Sequence, residues 1–83
     1  MTTESIVLQL LSRYGRPRAG KATLHDKLSD LGVGVLSRAQ IVVDLEDRYG
    51  IQTHADDALA WSTGEQIVAF VHHALAARHR LAS

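Results

Sequence analysis

Apolar residues recur every three or four positions at the start of the chain, at Ile6, Val7, Leu10, Leu11 and Tyr14. That spacing puts them on one face of a helix, with Thr2 or Thr3 available to cap it and Gly15 to stop it. The next stretch, Gly15-Arg16-Pro17-Arg18-Ala19-Gly20, holds the only proline of the chain and predicts a loop. Leu24, Leu28 and Leu31 punctuate the rest of this connection, ahead of Gly32 and Gly34. The long loop is therefore expected to lie down on the core and to contain a helical turn. A second helix is predicted from Val35 to Tyr49. Its apolar positions are Leu36, Ala39, Ile41, Val42, Leu45 and Tyr49, and its opposite face carries Ser37, Arg38, Asp44, Asp47 and Arg48. Gly50 closes it, since glycine enters the left-handed conformation of a helix C-terminus without steric cost. Ile51 follows as an apolar anchor.

Residues Asp56 to Trp61 read as a short third helix, with Asp56 and Asp57 suited to its positive N-terminal end. Ser62-Thr63-Gly64-Glu65 opens the last helix, where Ser62 and Glu65 fit a capping box. Its buried stripe is expected at Ile67, Phe70, Val71, Ala74 and Leu75, with the polar tail fraying after Ala77. No strand pattern and no internal repeat is present. The pattern predicts an all-α four-helix bundle of three main helices, one short helix and a long first loop. It is read as a single domain over 1–83, with a core from about residue 3 to 77.

Composition narrows the chemistry. Eighty-three residues suffice for one small core. The absence of cysteine excludes disulfides, thiolate metal sites and thiol nucleophiles. Apolar runs stay far below the ~20 residues that span a bilayer, and no basic start leads into a long apolar stretch, so a cytoplasmic protein is the expectation. Nine basic residues balance nine acidic ones, which argues against a dedicated nucleic-acid binder. The balance is uneven along the chain. Arg13, Arg16, Arg18, Lys21 and Lys27 cluster early, and Asp44, Glu46, Asp47, Asp56, Asp57 and Glu65 dominate later. Solvated loop and helix faces account for that distribution.

The run Leu31-Gly32-Val33-Gly34-Val35-Leu36, followed by Ala39 to Ile51 and then by Ser62-Thr63, Ile67, Val68 and Val71, resembles the acyl carrier and peptidyl carrier protein family. There the pattern is Leu-Gly-x-Asp-Ser-Leu, then a helix ending in acidic residues, an aromatic, Gly or Asp, and Ile. The resemblance covers nearly the whole chain, without a gap from Leu28 to Val71. It implies a carrier fold and, at the start of the second helix, a serine bearing a phosphopantetheine arm. Aligned on Tyr49-Gly50, Val35 stands at that serine position and Gly34 at the preceding aspartate. Valine has no hydroxyl to form the phosphodiester, so no cofactor is expected, and phosphopantetheine enters only if Val35 is a substitution of serine. Moving Ser37 onto the attachment point would shift Leu36, Ile41, Leu45 and Tyr49 off their family positions, and Ser37 is expected to be a surface residue.

Three functions are weighed. The first is an interaction module of acyl, polyketide or lipid assembly that carries no arm and binds an enzyme or a second carrier protein through the start of the second helix. Its candidate partner contacts are Val35, Leu36, Arg38, Asp44 and Trp61. Trp61 is first of all a candidate core plug between the second and fourth helices, and Arg38 and Arg48 imply a partner other than the basic patches that acidic carriers meet. The second function is a genuine acyl or aminoacyl carrier whose attachment serine has been substituted. The third is a small non-covalent acyl-chain binder using the bundle interior. Catalysis is not expected, because no nucleophile elbow or phosphate-binding loop occurs. Nor is a metal site. His72 and His73 point about 100° apart on a helix, and His79 lies two turns beyond His72.

Overall fold

A computed structural model describes residues 2–16 and 22–82, and it is mostly helical, with four helices and no strand among those residues. Helix α1 runs Thr3–Tyr14, with the Thr2 hydroxyl accepting from the Ser5 N–H at its start and Val7, Leu10 and Leu11 buried on its inner face. It stops at Gly15, where a Cβ would sit 2.6 Å from the carbonyl oxygens of both Leu11 and Leu31. Only glycine lets the loop lie this close to the helix end. Arg18 and Lys21, two members of the basic cluster, lie outside the described residues.

The long connection lies on the core as expected. Leu28, Leu31 and Val33 are buried in it, and the Leu31 N–H donates to the Lys27 carbonyl to close the helical turn. Leu28 N–H donates to Ser62 O, and Glu65 N–H to Leu24 O, so the loop is stitched to the start of the last helix. A single isolated bridge between Lys27 and Thr63 belongs to the same seam.

Helix α2 spans Val35–Tyr49, and Gly50 ends it at φ 64°, the left-handed closure its sequence calls for. Helix α3, Ala55–Ala60, begins one residue earlier than expected and ends before Trp61, which is its C-cap. Helix α4, Gly64–Ala82, starts and ends differently from the sequence reading. The side-chain reach-back at its N-terminus is displaced by one residue. Gln66 reaches back to the Ser62 and Thr63 N–H groups, while Glu65 meets His25 Nδ1 at 2.6 Å instead. At the far end the helix continues past Ala77 to Ala82, because Arg78 donates to the Tyr49 carbonyl at 2.7 Å and ties the last turns to the end of α2.

One core joins all four helices and the loop. α1 packs on α4 and α2, and α3 packs on α2. Leu10, Leu11, Leu28, Ile41, Leu45, Ile67, Val7 and Val71 are the large side chains almost wholly enclosed. The α4 stripe holds, with Val68 added and Phe70, Ala74 and Leu75 half-buried. Two apolar positions of α2 lie outside the core, one of them the candidate contact residue Leu36. Leu36 and Ala39 face solvent, because the inward stripe centres on Ile41 and Leu45 and the first turn projects beyond the bundle. Helix carbonyl ends without intrahelical partners need donors from elsewhere. Here a side chain from another element supplies one each time: Ser37 to Tyr14 O, Arg78 to Tyr49 O, and Arg38 to Ala58 O and Trp61 O.

Candidate functional site

The start of α2 is the most exposed apolar feature of the described surface. Gly34 is the N-cap, with extended backbone (φ −89°, ψ −165°) and no side chain to bond the free N–H groups of the first turn. A Cβ at Gly34 would meet nothing within 4 Å. Val35 and Leu36 follow, 70% and 82% exposed. Val43, two turns on, and Leu59 on α3 are each 58% exposed. With Ala39 they form an apolar surface across α2 and α3. Lone exposed apolar residues are common, whereas contiguous apolar patches are the less usual feature of a protein surface.

Three of the five residues expected at a partner contact are otherwise engaged. Trp61 is only 5% exposed and sits edge-on to Phe70, ring centroids 5.5 Å apart, so it plugs the core and offers no surface to a partner. Arg38 is half-buried, its Nη1 donating at 2.7 Å to Ala58 O and at 2.6 Å to Trp61 O. It pins the end of α3 to α2. Asp44 lies inward as well, accepting from Tyr14 Oη at 2.9 Å and from Arg48 Nε at 2.7 Å. Both guanidinium groups bond within the chain, Arg38 through Nη1 and the exposed Arg48 through Nε. Val35 and Leu36 remain as the exposed pair.

The Asp44 cluster also fixes its own ionisation. The Arg48 hydrogen bond, helped by the Tyr14 hydroxyl, holds the Asp44 carboxyl below the usual aspartate range. The hydrogen bond to Asp44 in turn raises Tyr14 above the usual phenol range, and Arg48 is raised by the same carboxylate. Ser37, read as a surface residue, is half-buried, and its hydroxyl donates to the Tyr14 carbonyl at 2.7 Å. Tyr14 is thus gripped by α2 at both its backbone and its ring, and the Ser37 oxygen is committed to the fold.

Among the described residues no three His, Asp or Glu side chains come together to hold a metal ion, and His72 lies 3.8 Å from Glu4 across α1 and α4. No helix among them is long and apolar enough to cross a membrane.

A short four-helix bundle with a long, core-hugging first loop and an exposed first turn on its second helix is the architecture of a carrier-type domain. The profile of the phosphopantetheine attachment site family matches residues 6–71, and the chain belongs to that family. No curated protein and no solved structure matches it. Domains of this family serve as carriers in acyl and aminoacyl assembly, where enzymes act on what they carry; they are not enzymes themselves. The family's members normally bear phosphopantetheine.

Proposed function

We propose that this chain is a carrier-fold interaction module of acyl, polyketide or lipid assembly that bears no phosphopantetheine arm. One observation carries the reading: Val35, at the position that resembles the family's attachment serine, is exposed at the first turn of α2 and offers no hydroxyl. Its nearest hydroxyl neighbour in sequence, Ser37, has its oxygen turned into the fold, which supports the register that makes Val35 the counterpart. The partner, an enzyme or a second carrier protein working in the cytoplasm, meets Val35, Leu36 and the neighbouring apolar surface. The whole chain acts as one domain.

The test is crosslinking. A photoreactive residue at position 36 in the native host should capture an enzyme or carrier of acyl or lipid assembly, and one at the exposed Asp30, away from the patch, should not. Equal capture from both positions, or capture only of unrelated proteins, defeats the reading. A second reading, of a genuine carrier whose serine has been substituted, is favoured by the open space at Gly34 and the exposure of Val35, which leave room for Asp-Ser.

A further inference from the structure

At the far end of α2 from the exposed Val35 and Leu36, the segment leading into α3 and the last turns of α4 frame a separate cleft of about 450 Å³. Ile51, Ala74 and Ala77 form its apolar wall, and Gln52, His54 and Arg78 its polar one. Each of these three polar side chains carries N–H donors, and no carboxylate lines the cleft. Arg78 Nη1 donates to the Tyr49 carbonyl at 2.7 Å. Gly50 lets the guanidinium lie against the backbone, since a Cβ there would meet Nη1 at 2.6 Å. That seat orients the fork. Among the described residues no acceptor meets Arg78 Nε or Nη2, and no carboxylate pairs with it. The unpartnered edge presents two parallel donors, the geometry that takes two oxygens of a carboxylate or a phosphate.

We propose that this cleft is a binding site for a small oxyanion, the carboxylate or phosphate group of a small molecule. Two of its oxygens lie on the Nε–Nη2 edge of Arg78, Gln52 and His54 donate to the same group, and the carbon skeleton it bears rests on Ile51, Ala74 and Ala77. A lysine in place of Arg78 would keep the charge but could not offer the paired donors. The site goes beyond the proposed function and shares no residue with its surface. Fifteen helical residues separate the two, a span of about 22 Å.

Titrating the ¹⁵N-labelled full chain with acetate and, separately, with methyl phosphate at constant ionic strength tests this. Saturable shifts are expected at the amides of Gly50, Ile51 and His54 and at the Arg78 Nε–H, and none at Val35 or Leu36. The probe that saturates at the lower concentration names the group, carboxylate or phosphate, and chloride should saturate nothing. Arg78→Lys should weaken the tighter probe about tenfold or more, the difference that a charged hydrogen bond makes. Should that variant loosen the end of α4, Gln52→Glu, at an exposed position, should weaken it by as much, because the new carboxylate pairs with Arg78 and repels the anion. Absence of saturable shifts with both probes, an equal response to chloride, saturable shifts centred on the first turn of α2, full affinity in a folded Arg78→Lys, or indifference to Gln52→Glu would each overturn the proposal.

Discussion

Rebuilding Asp-Ser at the start of α2, by Gly34→Asp with Val35→Ser, should leave the fold nearly unchanged and make the chain modifiable. The magnitude follows from the two sites. Val35 is 70% exposed, so only about three-tenths of the roughly 2 kcal/mol for a fully buried valine is at stake, about 0.6 kcal/mol. Against this, Gly34 already has the extended backbone of an N-cap, its missing Cβ faces open space, and no side chain caps the turn. An aspartate there gains a few tenths of a kcal/mol over glycine as a cap, and about 0.3–1 kcal/mol from its charge at the helix N-terminus. The terms cancel to within about 0.5 kcal/mol, which for a domain of this size is a change in Tm of about 2–4 °C. Thermal melts of the two chains check this, and intact mass after treatment with coenzyme A and a promiscuous phosphopantetheinyl transferase checks the chemistry. A fall in Tm beyond about 10 °C, well outside that range, would show that the first turn is not free as drawn. A folded variant inert to several transferases would show that recognition has been lost elsewhere on the surface too.

Leu45→Ala, at a side chain with no exposure, should cost about 2–5 kcal/mol. That is most of the stability of a small domain, and an unaltered melt would refute the core described above. The Asp44 cluster makes stability depend on pH. Because Asp44 is held below its unfolded value, its contribution is complete above about pH 4 and is lost as pH falls through the folded value. Urea unfolding of the native chain and Asp44→Asn should therefore differ at pH 7 and converge in acid; a gap independent of pH would contradict the assignment. Tyr14 is shifted the other way, so the stability gap between the native chain and Tyr14→Phe should hold up to about pH 10 and shrink above it.

The helices were legible because period and punctuation agreed. The bounds of α2 follow from Gly34 and Gly50 with Ile41 and Leu45 between them, and the loop's leucines announced their burial. The site was read less well. Arg38 and Asp44 were assigned to the surface by polarity, although Arg38 stands three and seven residues before Ile41 and Leu45, and Asp44 three after Ile41. That spacing puts them, with Ser37 four before Ile41, on the buried face. Their polarity answers a need that hydropathy does not register, the free carbonyls and hydroxyls at the ends of α1 and α3. Ala39, counted with the apolar face, is exposed for the converse reason, apolar identity not being the same as burial. At the α4 N-terminus, Ser62-x-x-Glu65 and Thr63-x-x-Gln66 are equally good boxes in sequence. Only the tertiary approach of His25 to Glu65 decides between them.

The claim on which the rest depends is that the chain, with valine at position 35, carries no arm. Intact mass of the unaltered chain, purified from its native host and again after incubation with coenzyme A and transferase, tests it most directly. The account requires one unshifted mass in both samples. A stoichiometric gain of phosphopantetheine, mapped by fragmentation to Ser37, Ser29 or any other residue, would contradict it.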